Sequence, residues 1–100
     1  MVIIRIFQVT INPEYRDEFQ RNFKSISIET VKNHNGLISC HIGGPTKWNP
    51  DDYTMVTLWE DESSLEEFAG KNWNQAIIPL EMQKYPKAFS VAHYENIEFE

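Results

Sequence analysis

The sequence contains one cysteine, Cys40, so no disulfide can form within the chain. A lone thiol suits a reducing compartment, and a cytoplasmic protein is the expectation. Bases are scarce too. Nine Lys and Arg face fifteen Asp and Glu, for a net charge of −6. A surface of that sign repels phosphate, which argues against nucleic acid and anionic membranes as partners. No apolar run is long enough to cross a bilayer. The N-terminal one is broken by Arg5 and Gln8 and has no basic leader region or small-residue cleavage site.

The usual signatures of catalysis are missing as well. There is no Cys-x-x-Cys, no His-x-x-x-His and no Gly-x-Ser-x-Gly. Cys40 and His41 are neighbours, but adjacent strand residues point to opposite faces and cannot easily share an ion. Gly43-Gly44-Pro45 lacks the lysine and the helix start of a phosphate loop. The acids Asp61, Glu62, Glu66 and Glu67 read as a solvated helix face. The expectation is a protein with no metal site and no cofactor.

What remains is an apolar, aromatic-rich chain of 100 residues, one globular domain spanning 1–100. Val2 to Ile11 reads as a strand. Asn12-Pro13-Glu14 starts a helix, with Pro13 at the first helical position. Tyr15, Phe19, Phe23, Ile26 and Val31 form its apolar stripe, and Asn33-His34-Asn35-Gly36 ends it. Strands follow over Leu37–Gly43 and Tyr53–Trp59, separated by a polar loop carrying Trp48. A second helix begins after Glu60, capped by Asp61 or by a Ser63–Glu66 box, and shows Leu65, Phe68 and Ala69 on its apolar face. Pro79 suits the first turn of a further short helix, Pro86 closes that segment, and Phe89–Phe99 is the last strand. The order β-α-β-β-α-β predicts a ferredoxin-like α+β sandwich: an antiparallel four-stranded sheet with both helices on one face.

The first strand is apolar on both sides. Val2, Ile4 and Ile6 point one way, and Ile3, Phe7, Val9 and Ile11 point the other. Two helices cover one face, and the chain has no third long helix for the other. A second copy of the same sheet is the simplest cover, so a homodimer is expected, with the last segment Tyr94–Glu100 able to reach across. Among the aromatics, Trp59 and Trp73 flank the second helix. They are candidates for the wall of a pocket suited to a planar ligand, the alternative being plain core. Arg5 is a charge inside an apolar strand. It either pairs with a carboxylate or points a cation into a pocket, and the sequence leaves both open.

With Asn35-Gly36-Leu37, Thr57-Leu58-Trp59-Glu60-Asp61-Glu62, Trp73-Asn74-Gln75-Ala76-Ile77-Ile78-Pro79 and Ser90-Val91-Ala92-His93-Tyr94-Glu95 in place, the chain resembles the antibiotic biosynthesis monooxygenase domain family of the dimeric α/β-barrel superfamily. The resemblance covers nearly the whole chain. It implies a cofactor-independent monooxygenase acting on a small aromatic, phenolic or quinol-type molecule, whose own anion activates oxygen. A non-catalytic ligand-binding dimer of the same fold is the alternative. Haem-degrading members place an Asn on the first strand and a Trp and an iron-ligating His on the second helix. Aligned without gaps, those places hold Phe7, Phe68 and Ile78, which argues against haem degradation. A His that many relatives carry near the place of Phe68 is also absent. The cofactor-free members use Asn, Trp and Tyr, and Trp59, Trp73, Tyr53 and Asn72 are the residues of those types here. The substrate-binding candidates are therefore Trp59, Trp73, Phe68, Phe7 and His41.

Overall fold

The protein is described by a computed structural model over residues 1–98. Four strands, β1 (Ile3–Ile11), β2 (Leu37–Gly43), β3 (Asp52–Trp59) and β4 (Pro86–Glu95), form one antiparallel sheet in the order β2-β3-β1-β4. Between β1 and β2 runs a continuous helical segment: a 3₁₀ turn (Pro13–Tyr15), α1 (Arg16–Asn22), a π turn (Phe23–Ser27) and α2 (Ile28–Val31). Between β3 and β4 lie α3 (Glu62–Ala69), an irregular stretch and a 3₁₀ turn (Leu80–Met82) that follows Pro79. This is the ferredoxin-like α+β sandwich.

The π turn has a clear cause. The buried residues of the first helical segment are Phe19, Phe23, Ser27 and Val31, one every four positions. An α-helix turns by about 100° per residue, so a four-residue spacing overshoots by roughly 40° at each step. One wider turn absorbs that drift and keeps all four residues over the sheet. The sequence reading put Ile26 on this stripe; the π turn brings Ser27 inward and leaves Ile26 half-buried.

Alternation along the strands sets the two faces of the sheet. Ile3, Arg5, Val9 and Ile11 of β1 and Tyr53, Met55, Thr57 and Trp59 of β3 are buried beneath the helices. Val9, Ile11, Tyr53 and Met55 pack with Phe19, Phe23, Val31, Met82 and Tyr85 in the main core cluster. Ile3, Trp59 and Leu65 form a second cluster, with Phe68 and Trp73 against it. Ile4, Ile6, Val56 and Leu58 face the other way, screened only by neighbouring strands, and Tyr94 beside Ile4 is 56% exposed.

Local chemistry agrees with most predicted ends. Asp61 caps α3 by accepting from the Ser64 backbone N–H at 2.8 Å, so Asp61 and not a Ser63 box starts this helix. Gly36 has φ +86°, and a Cβ there would lie 2.1 Å from Ser64 Oγ. Only glycine meets both constraints. The last strand differs from its predicted range. It begins at Pro86, a position where the missing N–H is tolerated, and ends at Glu95 opposite Ile3, with one more backbone bond from Asn96 N–H to the Val2 carbonyl at 2.9 Å beyond it. The predicted end at Phe99 lies outside the described residues. Among the described residues, no helix is long and apolar enough to cross a membrane.

Candidate functional site

The sheet register assembles a polar line that no stretch of sequence contains. Cys40 of β2 pairs with Thr57 of β3, Thr57 with Arg5 of β1, and Arg5 with His93 of β4. Paired residues share a face, so these four side chains cross the helix-covered side of the sheet in one row. The next row on that face is apolar throughout: Ile42, Met55, Phe7 and Val91.

Arg5 is 4% exposed and meets no carboxylate. Its Nη1 donates to the Trp73 carbonyl and to His93 Nε2, the latter at 2.9 Å, and its Nη2 donates to the Gln75 carbonyl at 2.9 Å. Two of its partners thus come from the irregular stretch after α3, which the guanidinium ties to the sheet. Burial pulls its pKa down to about 10, which still leaves the group charged at neutral pH. His93 accepts from Arg5 through Nε2, so its proton sits on Nδ1. Burial first, and the neighbouring Arg5 charge second, lower the His93 pKa to about 4. The Cys40 thiol is pushed up by burial and is no thiolate at neutral pH.

A cavity opens between this row and the helices. It is bounded by Phe7, Phe19, Phe23, Met55, Phe68 and Ile78 among other apolar groups, with Arg5, Thr57, Ser27 and Thr30 as its polar members. Among the described residues, Arg5 is the only formally charged one on the wall. The Thr57 hydroxyl accepts from Trp59 Nε1 at 2.9 Å, which leaves its own proton for a group in the cavity. The space that a water molecule's centre can occupy is about 40 Å³. That admits a few waters and is smaller than a ring requires.

Of the five candidates from sequence, Phe7 and Phe68 line the cavity. Trp59 stands behind Phe68, stacked on it at 5.1 Å and fully buried. Trp73 is set to one side: its ring meets His93 edge-on at 4.6 Å, and only its carbonyl reaches Arg5. His41 does not join them. It is exposed on the opposite sheet face beside Val56, because the alternation that turns Cys40 inward turns His41 outward. Nor does Arg5 find the carboxylate that was one of its two possible partners. Thr57 and Ser27 were missed as site residues. The period-two burial of β3 carries a signal for the first, and the four-residue spacing 19, 23, 27, 31 carries one for the second.

A sequence model of the antibiotic biosynthesis monooxygenase family matches residues 2–77, which include β1 to α3 and most of the cavity wall. The chain belongs to this family. No curated protein sequence matches it. A conserved protein from Methanosarcina mazei Go1 superposes with a TM-score of 0.74 at 26% identity, over 97% of this chain and 94% of that one. A crystal structure of an antibiotic biosynthesis monooxygenase superposes at 0.72 with 15% identity, over 98% and 100%. A haem-degrading protein from Mycobacterium tuberculosis, in haem-free and cleaved form, gives 0.67 at 19%, over 100% and 99%. At such identities the last two show a shared fold.

The residues present do not suit haem. No histidine, cysteine or tyrosine lines the cavity, so iron would lack an imidazole, thiolate or phenolate ligand there. Phe7, Phe68 and Ile78 stand on its wall, and Ile78 lies in the stretch after α3, not on the second helix where the gapless alignment put it. Among the described residues no group of three or more His, Cys, Asp or Glu is placed to hold a metal ion.

Proposed function

We propose that the protein is an oxygenase of this family that binds a small aromatic, phenolic or quinol-type molecule and acts on it without metal or flavin. The observation that carries the reading is the aromatic-lined cavity ending on the Arg5 row, in a chain of this family. Phe7, Phe68 and Met55 supply apolar walls that orient a ring and exclude water. No carboxylate or imidazole lines the cavity. Ionisation is then the substrate's own, and the positive potential that the buried Arg5 sets up in the cavity favours an anionic substrate as electron donor to O₂. The substrate supplies all four electrons: a phenol loses a ring C–H hydrogen and its O–H hydrogen as one oxygen atom becomes a quinone C=O, and those two hydrogens leave with the other oxygen atom as water.

The working unit in this reading is a homodimer in the cytoplasm, with the uncovered sheet face of Ile4, Ile6, Val56 and Leu58 as its interface. Oxygen uptake against a panel of quinols and phenols tests the function. Consumption that stays stoichiometric with substrate in chelator-treated protein supports it. A panel with neither binding nor uptake sinks it. A second reading, a non-catalytic ligand-binding dimer, is favoured by one feature. His93, the imidazole bonded to Arg5 of the cavity wall, has Nε2 engaged by Arg5 and stays neutral, so it forms no poised acid–base pair there. Binding without oxygen uptake selects that reading.

A further inference from the structure

A guanidinium has five N–H donors, and the bonds of Arg5 use three of them. Both Nη1 protons are taken, by Trp73 O and His93 Nε2, and one Nη2 proton goes to Gln75 O. Two carbonyls from one short stretch, met by Nη1 and Nη2 respectively, fit the outer edge of the group. What remains is Nε–H and the second Nη2–H, the edge that matches the two oxygens of a carboxylate. Carbonyl dipoles orient Arg5 but do not neutralise it, and every other described residue on the cavity wall is uncharged.

We propose that Arg5 is the specificity-determining residue of the cavity and binds a carboxylate, so that the ligand is a small aromatic acid. The ring lies among Phe7, Phe68 and Met55, and the acid group lies on the free guanidinium edge. The inference rests on the cavity being the ligand site and adds the charge of the ligand. The chain's net charge of −6 disfavours acids in general, so a preference for them must come from Arg5 itself. The titratable groups facing Arg5 are His93 from β4 and, one strand beyond Thr57, the Cys40 thiol. The first helical segment, α3 and the stretch through Pro79 bring none to the cavity wall.

Naphthalene-2-carboxylate and naphthalene-2-carboxamide share a shape and differ in charge. Calorimetric titration of the intact protein with each at neutral pH separates the possibilities. The expected result is carboxylate binding at least about tenfold tighter, with the preference lost in Arg5→Gln and partly kept in Arg5→Lys. If the carboxamide binds as well or better, or if a folded Arg5→Gln keeps the preference, the carboxylate role is wrong while the cavity reading stands. If neither compound binds, both fall. Should Arg5→Gln fail to fold, the Arg5 Nε–H resonance of the wild-type protein decides. It moves downfield with the carboxylate and stays put with the carboxamide, and a resonance unmoved by bound carboxylate overturns the proposal.

Discussion

At the scale of single residues, His93 shows how one contact sets a pH dependence. An unfolded histidine titrates near 6.5, whereas in the folded protein burial and the Arg5 charge hold His93 down to about 4. The unfolded chain therefore binds a proton at higher pH than the native one. Stability is unaffected by this group above about 6.5 and falls as the pH drops towards 4. His93→Gln, whose amide oxygen can accept from Arg5, should flatten that part of the acid limb. Urea midpoints between pH 7 and pH 4 for both proteins provide the check, and NMR titration of His93 should show a neutral ring at pH 5.5. Gly36 supports a second prediction. With φ +86° and Ser64 Oγ where a Cβ would sit, Gly36→Ala should cost more than about 1 kcal/mol in denaturant unfolding, from backbone strain alone. Gly44→Ala meets nothing within 4 Å and should stay within about 0.5 kcal/mol of the parent.

Among the elements, α3 is short and depends on what it packs against. Eight residues are too few for a helix to persist by propensity. Its hold is Leu65, fully buried against Ile3 and Trp59, with Phe68 and Ala69 beside it. Leu65→Ala should therefore lower global stability by about 2–5 kcal/mol, and hydrogen exchange should show α3 losing protection before β1 and β3. Because Phe68 of α3 lies between Trp59 and the cavity, the same variant should also weaken ring binding. Unchanged affinity would mean that α3 is not a working wall of the site. The stretch between α3 and β4 is held differently, by backbone carbonyls on Arg5 and by Gln83 Nε2 on the Ile78 carbonyl at 3.3 Å. Ile77, Ile78 and Pro79 of this stretch stand on the cavity wall.

For the whole molecule, the issue is the second sheet face. The helices cover one face, and Ile4, Ile6, Val56 and Leu58 lie on the other, with no helix among the described residues laid over them. At roughly 25 cal/mol per Å² of apolar surface, leaving such a face wet is a large loss beside a net stability of about 5–15 kcal/mol. In the proposed dimer two copies of the face cover each other about a two-fold axis. Sedimentation at micromolar concentration should give twice the chain mass of 11.8 kDa. Ile6→Asp should shift the protein to monomer and lower its melting temperature together. A stable wild-type monomer would remove the argument for this interface.

The element order, the helix-covered faces of β1 and β3, the buried Phe19–Phe23 stripe and the turn at Gly36 were legible in the sequence. Each follows from a local period or from the backbone freedom of one residue. The family resemblance was legible too, since it rests on short contiguous segments. The site was only half legible. Phe7 and Phe68 could be placed on the right faces, but His41 was grouped with them although its neighbour Cys40 is the one that turns inward. Ser27 needed the π turn to be seen as buried. The line Cys40-Thr57-Arg5-His93 joins four strands, and nothing local in the sequence links positions 5, 40, 57 and 93. Strand periodicity fixes which face a residue takes. Which residues stand side by side is decided by the register between strands, and that depends on the bulges, turn lengths and packing of the whole fold. For the same reason the environment of Arg5 was open in the sequence. Its partners are two carbonyls 68 and 70 residues away and an imidazole 88 residues away, and only the tertiary structure brings them within reach.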